Sequence, residues 1–89
     1  MAENRKPPQN IEAEESVLGA MLIKKDAIIE AAEMVSDRDF YREANRVIFS
    51  TMQELAEEGE AVDIVTLTDR LKRGDMLDKV GGIAYVTKL

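Results

Sequence analysis

Apolar residues in this chain recur with the spacing of one helix face after another rather than with the alternation of strands. Ile11, Leu18 and Leu22 share one side of a segment spanning residues 11–23, with Val17 and Met21 beside them. Asn10 precedes that segment as an N-cap. Glu12 and Glu14 occupy its first turn, where carboxylates favour the positive end of the helix dipole. Gly19 inside it costs about 1 kcal/mol relative to alanine, which points to the close approach of a neighbouring helix. Lys24 and Lys25 close the segment, and Asp26 is placed to cap a second helix over residues 27–35, with Ile28, Ala31, Ala32 and Val35 on its buried side.

Residues 36–41 form a connector in which Phe40 plugs the core, and a long helix follows over residues 42–58. Its inward positions are Ala44, Val47, Ile48, Met52 and Leu55, and Gly59 ends it as a left-handed residue. After a short link, either Thr66 with Asp69 or Asp63 caps a helix over residues 65–73 that buries Ile64, Leu67 and Leu71. Gly74-Asp75 stops this helix, Met76, Leu77 and Val80 make another turn, and Gly81-Gly82 precedes a last helix carrying Ile83, Ala84, Val86 and Leu89. The expected fold is all-α, a compact orthogonal bundle of five to six short helices over residues 10–89. Residues 1–9, with Arg5, Lys6 and Pro7-Pro8, read as a flexible N-terminal arm. The last helix has no C-terminal cap and runs out on apolar Leu89, so the chain reads as a piece of a longer protein.

Composition narrows the chemistry more than the fold. Eighty-nine residues make one domain, and two Phe and two Tyr leave its core to aliphatic side chains and methionine. With no Cys and no His, disulfides, thiolate nucleophiles, the usual zinc sites and the commonest general base are excluded. The absence of cysteine fits a cytoplasmic protein. No apolar run approaches the roughly 20 residues of a membrane span, and residues 1–9 lack the apolar stretch of a signal peptide. A net charge of −6 opposes direct binding to duplex DNA, which is itself a polyanion. The five glycines never form a phosphate-binding loop or a dinucleotide fingerprint, so no cofactor is expected in this chain.

The remaining candidates are surface groups. Glu12, Glu15, Asp63 and Asp69 lie at helix starts or on polar faces, where capping and solvation account for them better than acid–base catalysis. Arg38, Arg42 and Arg46 are spaced by four, Arg42 and Arg46 on one helical face. They form either a stripe for an acidic partner or a solvated face paired with Glu43 and nearby carboxylates. Met21, Met34, Met52 and Met76 read most simply as core fillers, with a Met-lined partner groove as the alternative. Tyr85 reads either as half-buried core or as an interface anchor, because Ile83, Ala84 and Val86 already supply an apolar stripe.

Four segments together resemble the N-terminal domain of DnaB-type replicative helicases. They are Pro7-Pro8-Gln9-Asn10-Ile11-Glu12-Ala13-Glu14 running into Ser16-Val17-Leu18-Gly19-Ala20-Met21-Leu22, Asp39-Phe40-Tyr41-Arg42 followed by Val47-Ile48-Phe49, Glu58-Gly59-Glu60-Ala61-Val62-Asp63-Ile64-Val65-Thr66-Leu67, and Val80-Gly81-Gly82-Ile83-Ala84-Tyr85-Val86. They stand in family order and cover residues 7–89. The resemblance implies a cytoplasmic parent that forms a ring hexamer and unwinds DNA at replication forks with ATP and Mg in a separate motor domain. It also implies a non-catalytic role for this part: self-association in the hexamer's collar, docking of the primase C-terminal domain, and contact with a helicase loader. Glu12 and Tyr85 match the positions expected to contact or modulate primase, and Arg42 and Arg46 are further partner-binding candidates. Two other functions compete, a direct nucleic-acid-binding helical domain and a free-standing regulatory adaptor. Salt-dependent DNA binding would favour the first, and a true chain terminus at Leu89 the second.

Overall fold

Every expected helical segment is present in the computed structural model, which describes residues 10–89; the arm expected over residues 1–9 lies outside them. Five α-helices follow in order, α1 (Ile11–Ile23), α2 (Lys25–Met34), α3 (Glu43–Glu57), α4 (Ile64–Arg73) and α5 (Gly82–Thr87), with 3₁₀ turns at Asp37–Asp39 and Asp78–Val80. No strand occurs among the described residues. No helix among them is long and apolar enough to cross a membrane. The central element is α3, against which α1, α2, α4 and both 3₁₀ turns pack, while α5 rests on α4 and the second 3₁₀ turn.

Local chemistry explains most of the boundaries. Asn10 caps α1 through its side-chain oxygen, which accepts from the Ala13 N–H at 3.0 Å. Asp26 does not cap α2, contrary to expectation. A single extended residue, Lys24, joins the two helices, so α2 starts at Lys25 and Asp26 falls inside its first turn. The choice left open for α4 resolves to Asp63, whose carboxylate accepts from the Thr66 N–H at 2.9 Å while the Thr66 hydroxyl accepts from the Asp63 N–H at 3.0 Å. Gly59 ends α3 at φ 80°. After α4 the left-handed residue is Asp75 at φ 62° rather than Gly74, a conformation that a short polar side chain tolerates.

Leu18 and Met21 of α1, Ile28 of α2, Phe40 of the connector, Ile48, Phe49 and Met52 of α3, and Leu67 and Leu71 of α4 make one core with Val80 and Val86. Phe40 is the expected plug, its ring 5.0 Å from that of Phe49. Gly19 serves close approach as expected, although its neighbour is the backbone just beyond α5: a Cβ there would stand 3.0 Å from the Leu89 carbonyl carbon. Five assignments change. Met34 is 82% exposed at the last turn of α2 and fills no core. Ala32 turns outward, and Ile64 stays partly in solvent because the first turn of α4 projects past the core. In α5 the inward positions are 85 and 86, with Leu89 partly buried just beyond it, which turns Ile83 and Ala84 out.

Candidate functional site

The N-terminal end of α3 carries no capping side chain of its own, since Arg42 stands at its N-cap. The missing acceptor comes from α1. One Glu14 carboxylate oxygen accepts from the Tyr41 N–H at 2.7 Å, and the other accepts from the Arg42 N–H at 3.4 Å and from the Asn45 side-chain amide at 2.8 Å. A carboxylate at a helix N-terminus meets both the free N–H groups and the positive end of the dipole. Glu14 thereby ties α1 to α3.

Asn45 extends this tie into the interior. It is fully buried, one turn before Ile48 and Phe49 on the inward face of α3, and its carbonyl oxygen accepts a hydrogen bond from the Tyr85 hydroxyl. The Glu15 carboxylate is a second, longer acceptor for the same hydroxyl at 3.3 Å. Tyr85 is 9% exposed and belongs to the core, so the sequence alternative of half-buried core describes its ring. Gly81 makes room for it: a Cβ on this left-handed glycine would lie 2.8 Å from the Tyr85 Cβ.

Two cations frame the ring from outside. The Arg42 guanidinium carbon lies 5.6 Å from its centroid and the Lys88 ammonium 5.2 Å, distances at which a cation feels the aromatic quadrupole. Arg42 also reaches the Glu15 carboxylate at 3.9 Å. Burial pushes the Tyr85 phenol above its ordinary pKa, with the Glu15 carboxylate acting in the same direction and Arg42 against it. The phenol therefore remains a neutral donor at physiological pH, not a base.

The four candidate residues do not converge. Arg42 and Tyr85 stand together, whereas Glu12 is exposed in the first turn of α1, one helical step before Glu15. Arg46 lines a separate open groove of about 610 Å³ between α3 and α4, facing Asp37, Glu43, Glu54 and Arg70. Arg42, paired with Glu15, and Arg46, in its groove, thus belong to different surroundings, and Arg38 is exposed on the 3₁₀ turn. Among the described residues no group of three or more acidic side chains is arranged to hold a metal ion. In the sequence Glu14 stood only as a first-turn carboxylate of α1, and Asn45 carried no role. The signal for Asn45 was its place in the inward series 45, 48, 49, 52; nothing in the order of residues pairs Glu14 with an element more than two dozen positions away.

Residues 6–89 match a family model described as the DnaB-like helicase N-terminal domain. The chain is 45% identical over 86 residues to a replicative DNA helicase, DnaC, of Bacillus subtilis (strain 168), an alignment covering 97% of this chain and 19% of that protein. It is 44% identical over 85 residues to the replicative DNA helicase DnaB of Geobacillus stearothermophilus, covering 96% of this chain and 19% of that one. The chain thus spans about a fifth of the length of these curated relatives. Its fold superposes on the crystal structure of the N-terminal domain of DnaB helicase from Mycobacterium tuberculosis with a TM-score of 0.89 and 40% identity, over 93% of this chain and 60% of that one.

Proposed function

Because the chain belongs to the DnaB-like helicase N-terminal domain family, we propose that it is a non-catalytic docking and assembly domain of a cytoplasmic replicative helicase. In this reading the parent unwinds DNA at the replication fork, with ATP and Mg bound in a motor domain outside these residues. The present part contributes to assembly of a hexameric ring and presents a surface to the primase C-terminal domain, with a helicase loader as a further partner.

The Tyr85 cluster is the observation that carries the docking reading. Glu15, Arg42 and Lys88, from three segments of the chain, stand around one aromatic ring, and Glu12 extends the acidic side by one helical step. The surface these side chains present is mixed in charge over a buried aromatic support, the makeup of a site that recognises a partner by electrostatic complementarity. Glu12 and Arg42 contact the partner directly. Tyr85 supports Arg42 from below, and Arg46 contributes from its own groove.

Calorimetric titration with a primase C-terminal domain tests this. Glu12→Lys and Arg42→Glu are expected to weaken binding by tenfold or more with the helical spectrum unchanged. Unaltered affinity in both folded variants would remove this surface from the interface.

A further inference from the structure

At the other end of α3 the packing is unfinished. Two adjoining hollows, of about 480 and 340 Å³, share Ile28, Ile29 and Ala56 as walls. Ile23 and Val62 extend the first, and Ala32 extends the second along α2. Ile28 forms a buried floor, whereas Ile29 is 62% and Ile23 83% exposed. Two large aliphatic side chains thus stand in water beside a channel that the small Ala32 and Ala56 keep open. Every ionisable residue lining the two hollows is a carboxylate: Glu60 in the first, Glu33 and Glu57 in the second.

We propose that this channel between α2 and the C-terminal half of α3 docks an amphipathic helix with a cationic rim on a partner protein. The walls are the flanks of α2 and α3, joined at one end by the close of α1 and the 59–62 loop, and a groove between helix flanks accepts the side-chain ridges of a further helix. The apolar floor calls for residues repeating at i, i+3, i+4 and i+7, and the three glutamates call for Lys or Arg beside them. A second copy of this chain is a poor occupant. Its net charge is −6, and a twofold contact would set the same glutamates against each other. The channel lies at the opposite end of α3 from Arg42 and Asn45, so this inference and the primase-docking reading stand or fall separately.

The probe is a synthetic helical peptide of about 15 residues, with leucines at the stated spacing and lysines on the flanks. It is titrated at low salt into the 89-residue chain while backbone amides are followed by NMR. The expected result is saturable shifts confined to Ile23, Ile29, Ala32, Ala56 and their neighbours. Ile29→Lys should weaken binding at least tenfold, and Val65→Lys, at a 76% exposed position on α4, should leave it unchanged. Equal affinity for a peptide of the same composition with scrambled spacing would overturn the proposal, as would shifts centred on Tyr85. So would self-association of the unliganded chain that Ile29→Lys abolishes, because the occupant would then be a second copy.

Discussion

The two ends of α3 solve the same problem by opposite means. At its N-terminal end, Glu14, Asn45 and Tyr85 link three helices through hydrogen bonds in which the buried Asn45 uses both its oxygen and its nitrogen. At its C-terminal end, α3 is tied to α4 by Arg70, which forks onto the two Glu58 carboxylate oxygens at 3.1 and 2.7 Å in solvent, while apolar side chains nearby stay uncovered. A buried polar link is costly to break, since a group stranded away from water has no replacement partner, whereas water replaces an exposed one. The first end is therefore built to hold a shape, and the second leaves surface free.

The strongest test of that contrast is truncation inside the network. Tyr85→Ala removes a core ring and is expected to cost about 3 kcal/mol in urea denaturation. Asn45→Ala takes the short acceptor from the Tyr85 hydroxyl, leaving it the longer Glu15 contact at 3.3 Å, and removes one donor from the Glu14 carboxylate, for a loss of about 2 kcal/mol. Tyr85→Phe keeps the ring and deletes only the hydroxyl, so about 1 kcal/mol should suffice. A double-mutant cycle between Asn45→Ala and Tyr85→Phe should show coupling, since the two side chains share a hydrogen bond. Additive losses would mean that the link contributes packing alone. Tyr85→Phe is also the variant to use in primase assays, because it separates the phenol's role from collapse of the core.

The opposite end should be nearly indifferent to substitution. Ile29→Lys replaces a solvated side chain and is expected to shift stability by no more than about 0.5 kcal/mol, read as an unchanged thermal midpoint. A loss comparable to that of Asn45→Ala would show that the channel is structural after all.

How much of this could be read from the chain depends on whether the cause is local. The helix start at Asn10 was legible because a cap acts within three residues, whereas at α4 the same rule fitted both Asp63 and Thr66 with Asp69 and left the choice open. The inward series Ile48, Met52, Leu55 and Leu67, Leu71 was legible because an amphipathic face repeats within its own helix. Whether another element arrives to cover an apolar face is not a local property, which is why Met34 and Ile64 were assigned to the core and lie in solvent. The same limit hid Glu14, whose partners come from a distant turn. Tyr85 shows an intermediate case. The apolar residues of α5 fit more than one helical phase, and the left-handed reversal at Gly81-Gly82 (φ 106° and 77°) precedes the one that points the ring inward.

The smallest effect concerns the exposed tie itself. Hydrogen bonds from the Arg70 guanidinium hold the Glu58 carboxyl below its ordinary range, outweighing what desolvation does in the other direction. Because the folded-state pKa is the lower one, the pair's contribution is fully present above the ordinary carboxylate range. It fades as pH falls through the depressed value, when Glu58 takes up a proton. Both side chains are open to solvent, so salt should weaken the effect further. Following the Glu58 carboxyl carbon by NMR through an acid titration should give a lower midpoint in the native chain than in Arg70→Gln, with the difference shrinking in molar salt. The two proteins should also converge in thermal stability once the pH lies below both midpoints. Coincident titrations would mean that the fork is not populated in solution, leaving the C-terminal end of α3 held to α4 by packing and the longer Arg70–Glu54 pair at 3.7 Å, and sharpening the contrast with its buried counterpart.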